Sequence, residues 1–70
     1  MALSARNQLT GTIQSIVTDK IMAEVVVVLG DGQEIVSVVT ASSVQRLKLQ
    51  VGQKITVVIK STEVMLATPD

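Results

Sequence analysis

The run Val25-Val26-Val27-Val28-Leu29, followed by Gly30-Asp31-Gly32 and then by Ile35-Val36-Ser37-Val38-Val39, constrains the fold more than any other stretch of this chain. β-Branched side chains are stiff in a helix and pack well on a pleated surface. An Asp-Gly step tolerates the positive φ angles of primed hairpin turns. Residues 21–40 therefore read as a β-hairpin. A strand with one wet face alternates apolar and polar residues, yet the run 25–29 has no polar position and the run 35–39 has only Ser37. Both faces of the hairpin are expected to be covered.

Size makes that expectation consequential. A chain of 70 residues has room for one domain, 1–70, which buries only about 60% of its unfolded surface. Small domains compensate with disulfides, a structural metal or oligomerisation, and this one has no Cys and no His for the first two. Hydrophobic residues make up 47% of the chain with no aromatic among them, so the apolar mass is aliphatic. One face of the hairpin can fill a small core. The other would form an exposed apolar patch of the kind that marks an interface, and covering it stabilises by about 25 cal/mol per Å2. A homo-oligomer is the expected state.

The remaining segments read as further strands and one helix. "QLTGTIQSIVTD" alternates roughly and ends at Asp19-Lys20, a first strand and a turn. In "ASSVQRLKLQVGQ", Val44, Leu47 and Leu49 have helix-like spacing, and Thr40, Ser42 or Ser43 can cap one or two turns ending before Gly52. "KITVVIKSTEVMLAT" offers two strands, 54–60 and 63–68, broken at Ser61-Thr62 by a tight turn or bulge, with Pro69-Asp70 as a tail. The class is all-β. Five short strands with one short helix before the fourth strand suggest a barrel of the oligonucleotide-binding (OB) type, which removes most open strand edges; a small sandwich is the alternative.

Composition narrows function by exclusion. Six Lys and Arg balance six Asp and Glu, so no bulk field gathers nucleic acid or an anionic membrane, and an OB groove without aromatics lacks the stacking platforms that bind single strands. Without His or Cys the usual nucleophilic and acid–base sites cannot be assembled, and Lys60 beside Ser61 would point to the opposite face of a strand. The reading is not an enzyme. No metal cation site is expected either, since thiolate and imidazole are missing and the carboxylates are scattered. No signal-peptide pattern and no apolar run of about 18 residues occurs, so a cytoplasmic protein without membrane association is expected.

What remains is a set of small donors with two cations. Ser4, Arg6 and Asn7 precede the first strand; Thr40, Ala41, Ser42 and Ser43 open the helix; Lys60, Ser61 and Thr62 follow the fourth strand. Hydroxyls, a guanidinium, an ammonium and the backbone amides of residues 41–43 suit a compact oxyanion. Each piece also has an ordinary use, as a solvated charge or a helix cap.

Three segments together, "SARNQLTGTI" (4–13), "VVTASSVQRLKLQVGQ" (38–53) and "VVIKSTEVML" (57–66), closely resemble the small molbindin (molybdopterin-binding protein, Mop) family of single TOBE domains. The resemblance implies a five-stranded OB-like barrel, a homohexamer built as a trimer of dimers, and molybdate as ligand with tungstate as a mimic. It further implies intracellular molybdate storage and homeostasis, since no DNA-reading or ATPase domain fits in 70 residues. By that resemblance Ser4 and Arg6 come from one chain while Thr40, Ala41, Ser43, Lys60 and Ser61 come from another. Asn7 and Ser42 are further candidates, and some members hold a second type of oxyanion site near the threefold axes. The competing readings are a structural interaction module and an OB-type oligonucleotide binder.

Overall fold

The computed structural model describes residues 2–69. Four strands, β1 (Asn7–Thr18), β2 (Met22–Leu29), β3 (Glu34–Thr40) and β4 (Lys54–Ile59), form one antiparallel sheet in the order β3-β2-β1-β4. A six-residue helix, α1 (Ala41–Arg46), joins β3 to β4, and a 3-10 turn over Ser61–Glu63 follows β4. The all-β class and the single short helix before the fourth strand are as the sequence predicts.

β1 shapes the sheet because it serves two neighbours in succession. Its first half pairs with β4, from Asn7 opposite Ile59 to Thr12 opposite Lys54, and its second half pairs with β2 from Gly11 opposite Leu29 to Thr18 opposite Ala23. The β2 register slips between Ile13 and Ser15, which makes Gln14 the extra residue of a bulge and bends the strand there. Beyond the β4 ladder, Ile13 N–H donates to the Gln53 carbonyl at 2.9 Å and Gly52 N–H donates to the Ile13 carbonyl at 2.8 Å. The sheet is curled around one face.

That face holds a thin core. Among the described residues, the fully buried apolar side chains are Ile13, Ala23, Val25 and Val27, with Val39, Val44 and Ile55 among those packed partly against them. Val25 and Val27 point inward while Val26 and Val28 are half-buried on the other side. Across that outer side Val17, Val36 and Val38 are 66%, 59% and 64% exposed. One face of the apolar hairpin fills the core, and the other lies open in the isolated chain.

Two expectations need correction. The segment 63–68 is not a fifth strand: Val64 is extended, but Met65 and Leu66 are each 93% exposed and no ladder forms there among the described residues. β-Propensity expresses itself only where an edge is available to pair with, and within one chain this segment reaches none. Asp70, in the expected tail, lies outside the described residues. The hairpin turn also differs from the primed two-residue type. Gly32 N–H closes onto the Leu29 carbonyl at 3.0 Å, and of the three turn residues only Gly32 has a positive φ, +88°. This is the three-residue loop, a turn followed by a left-handed glycine, stabilised by Asp31 Oδ1 accepting from Gln33 N–H at 3.0 Å. The β1–β2 turn uses Asp19 similarly: its Oδ1 accepts from Met22 N–H at 2.7 Å and Ile21 N–H at 2.8 Å. Those bonds, Met22's first, hold its carboxyl below the ordinary range.

Helix α1 is capped at both ends by its own sequence. Thr40 is the N-cap, its Oγ1 accepting from Ser43 N–H at 3.0 Å. At the other end Leu49 N–H donates to the Val44 carbonyl and Lys48 N–H to the Gln45 carbonyl, at 3.0 and 3.1 Å, the pair of bonds that defines a Schellman motif. That motif puts Lys48 at φ +55°, a position glycine occupies without steric cost. We therefore expect Lys48→Gly to stabilise the fold by about 0.5–1 kcal/mol, read as a higher melting temperature. Val44 packs toward the core, but Leu47 is exposed, so only part of the helical spacing reflects burial. Among the described residues no helix is long and apolar enough to cross a membrane.

Candidate anion-binding site

The antiparallel β1–β4 ladder determines where the polar motifs go. Because Asn7 stands opposite Ile59, residues 4–6 and 60–62 leave the sheet at the same end. There Ser4, Ala5, Arg6, Asn7, Lys60, Ser61 and Thr62 line a cavity of about 290 Å3. Two local features hold its walls. Gln8 Nε2 donates to the Ala5 carbonyl at 2.8 Å, fixing the N-terminal arm against the start of β1. On the other wall, Glu63 N–H donates to the Lys60 carbonyl at 2.9 Å, turning the chain sharply so that Ser61 and Thr62 face the arm.

The chemistry of the lining is one-sided. It presents a guanidinium, an ammonium, three hydroxyls and an amide, and no carboxylate. Among the described residues neither Arg6 nor Lys60 has an ion-pair partner, so both positive charges are available to a ligand. Charge-assisted hydrogen bonds are roughly twice as strong as neutral ones, and a lining with two cations and no carboxylate favours an anionic ligand over a neutral or cationic one.

Thr40, Ala41, Ser42 and Ser43 do not line this cavity. Thr40 pairs with Met22, beside the Thr18 end of β1, whereas the cavity sits at the Asn7 end. β1 has 12 residues, a contour of roughly 36 Å at about 3.3 Å per residue. A single chain thus holds two donor clusters apart. Ser4 and Arg6 share their cavity with Lys60 and Ser61 of the same chain, where the family resemblance puts them on different chains; the β1–β4 register is the reason.

The second cluster is a connected set of hydroxyls. Thr40 Oγ1 donates to Ser43 Oγ at 2.7 Å, lies 3.1 Å from Ser42 Oγ, and accepts from Ser43 N–H. The amides expected to serve an anion at 41–43 are largely committed, since Ala41 N–H donates to the Ile21 carbonyl at 2.7 Å and Ser43 N–H to Thr40. Ser42 is the one of the three left. Thr62, one of the donors grouped from the sequence, lines the cavity; sequence reasoning missed Ala5 as a lining residue and Arg46 as a partner of Ser43, to whose Oγ its Nη2 donates at 3.1 Å. The signals were present: Ala5 adjoins named residues, and Arg46 is three residues along a helix from Ser43.

Comparison with known proteins gives a consistent picture. The model of the TOBE domain matches residues 3–66. Molybdenum-pterin-binding protein 1 of Clostridium pasteurianum is 42% identical over 66 residues, covering 94% of this chain and 97% of the relative. A molybdate-binding protein from Sporomusa ovata superposes with a TM-score of 0.90 at 37% identity, over 97% of this chain and 100% of that one. The cytoplasmic molybdate-binding protein ModG, with molybdate bound, superposes with a TM-score of 0.92 at 45% identity, over 99% of this chain and 49% of its own.

Proposed function

The chain belongs to the TOBE-domain family, and from that premise we propose that it binds molybdate, and tungstate as a close mimic, for intracellular storage and homeostasis. The observation that carries this reading is the cavity in which Arg6 and Lys60 converge with hydroxyl donors and no carboxylate. Its relatives by name bind molybdate or molybdenum-pterin, and a bare oxyanion suits a chain with no aromatic residue on which a pterin could stack. It acts as a binding protein of the cytoplasm rather than as an enzyme, through one TOBE module spanning 1–70.

Ser4, Arg6, Lys60 and Ser61 of one chain form the cationic wall, and Thr40, Ala41 and Ser43 of a neighbouring chain complete the site, with Asn7 and Ser42 at its margin. Two clusters at opposite ends of β1 meet when a second copy is placed against the first. The assembly is a homohexamer, a trimer of dimers. Its driving force is the open apolar face at Val17, Val36 and Val38, together with the extended Val64-Met65-Leu66 segment, which becomes the fifth strand of the barrel when it pairs with an edge of another copy. A purely structural module would use the same apolar surfaces but leaves the unpaired cations of the cavity without a purpose.

Titration calorimetry with sodium molybdate tests the reading. Saturable heat is expected, with a melting temperature that rises with ligand: at 100 times Kd, stabilisation of about 2.7 kcal/mol follows from mass action. Sulfate, a smaller dianion, should give a weaker response than molybdate at the same concentration. No heat and no thermal shift with molybdate, in a protein whose circular dichroism is that of a folded β-protein, would overturn it.

A further inference from the structure

The Thr40–Ser43–Arg46 set contains more than a helix cap. A serine hydroxyl has two acceptor positions and one proton to donate. Here Thr40 Oγ1 donates to Ser43 Oγ at 2.7 Å and Arg46 Nη2 donates to the same oxygen at 3.1 Å. Both acceptor positions are filled. Ser43's own proton has no acceptor in this network, because Thr40 Oγ1 already accepts from Ser43 N–H and stands 3.1 Å from Ser42 Oγ. Among the described residues Arg46 has no carboxylate partner, so its charge draws electron density from Ser43 Oγ and makes the hydroxyl a better donor.

We propose that Arg46 is a positioning and specificity residue of the oxyanion site, holding Ser43 as an obligate donor and so favouring fully deprotonated oxyanions over protonated ones. This rests on the molybdate reading and extends it to how molybdate is told from phosphate. Near pH 7 phosphate carries at least one proton, which must be given to an acceptor when the ion enters a dry site, or be left unpaired at a cost. A serine with free acceptor positions could take that proton. Ser43, with both positions occupied by Thr40 and Arg46, cannot, which removes one of the acceptors that the hydroxyls of the site would otherwise offer. Sulfate carries no proton at this pH and is not sorted by the device. The role requires a donor at position 46, not a longer reach to the anion, so Arg46 acts through Ser43 rather than on the ligand.

A double-mutant cycle tests this, with Kd for molybdate and for inorganic phosphate measured by calorimetry on the full chain and its Arg46→Ala, Ser43→Ala and doubly substituted forms. Arg46→Ala is expected to weaken molybdate about tenfold and phosphate less than about threefold, so that the preference falls. In the Ser43→Ala background, removing Arg46 should change molybdate affinity less than about threefold. Arg46→Lys, which keeps a charged donor, should restore at least part of the preference. Equal loss for both anions, or an undiminished loss without Ser43, would mean that Arg46 acts by charge alone and would overturn the proposal. If the unsubstituted protein gives no heat with molybdate, the site reading itself falls and takes this inference with it; if it binds normally and Arg46→Ala leaves the preference intact, only this inference falls. Arg46 is exposed and outside the core, and the Lys form guards against loss of fold.

Discussion

Arg6→Ala is expected to weaken molybdate binding by about a hundredfold or more while the protein melts within a few degrees of the parent. A hydrogen bond to a charged group contributes about 1.5–3 kcal/mol, and a hundredfold change in Kd corresponds to about 2.7 kcal/mol, so loss of one such contact together with its charge accounts for the effect. Stability should hold because Arg6 lies in the arm before β1, exposed and outside the ladder, and surface substitutions of that kind stay within about 0.5 kcal/mol. Calorimetry with molybdate and a thermal melt without it read the two halves separately. A variant that unfolds would make Arg6 a structural residue and remove it from the site. One that binds normally would leave Lys60 as the sole cation.

Gly11→Ala should lower stability by about 2–3 kcal/mol, the largest folding effect expected from a single methyl group in this chain. A Cβ at Gly11 would sit 2.6 Å from Val27 Cγ1 and 2.6 Å from the Val28 carbonyl oxygen, closer than carbon atoms come to either. Val27 belongs to the core and can turn only by opening a void. The Val28 oxygen belongs to the backbone of β2 and cannot turn at all. Alanine gains about 0.4–1 kcal/mol from a less flexible unfolded chain, which does not offset the clash. At roughly 4–8 °C per kcal/mol for a domain of this size, the melting temperature should fall by about 10–20 °C. A melt within a degree or two of the parent would mean that β1 and β2 can separate at Gly11 without loss of packing.

The glycine illustrates what was legible beforehand and what was not. Within "QLTGTIQSIVTD" Gly11 reads as one position of an alternating strand, and nothing local marks it as the crossing point of three strands. That role arises because β1 leaves β4 and joins β2 there, with Gly11 facing Ile55 on one side and Leu29 on the other. The helix behaves in the opposite way. A hydroxyl cap from Thr40, Ser42 or Ser43, and a short helix ending before Gly52, follow from local hydrogen bonding; the helix appears as expected, with Thr40 as the cap. The hairpin lies between, since its arms were legible but its turn type was not: the bond from Leu29 N–H to the Gln33 carbonyl leaves three loop residues, Gly30 to Gly32.

The candidate site divides in the same way. Residue types identified an oxyanion chemistry, because a set of hydroxyl donors with two cations, Arg6 and Lys60, and no carboxylate among them is a property of the side chains themselves. Their grouping was a different matter. Only the β1–β4 register places Ser4 and Arg6 against Lys60 and Ser61, and only the distance along β1 keeps Thr40 and Ser43 from joining them.

The β class, the hairpin, the capped helix and the aliphatic surplus were all legible beforehand, since each rests on short-range sterics and hydrogen bonding or on composition. Tertiary structure decided the four-stranded count, the left-handed Lys48, the bond from Arg46 to Ser43 and the membership of the cavity. These depend on which edges and side chains a curled sheet brings within reach, and no local pattern carries that information. Val64-Met65-Leu66 stands at the boundary: its sequence favours a strand, and the fold of one chain provides no edge for it.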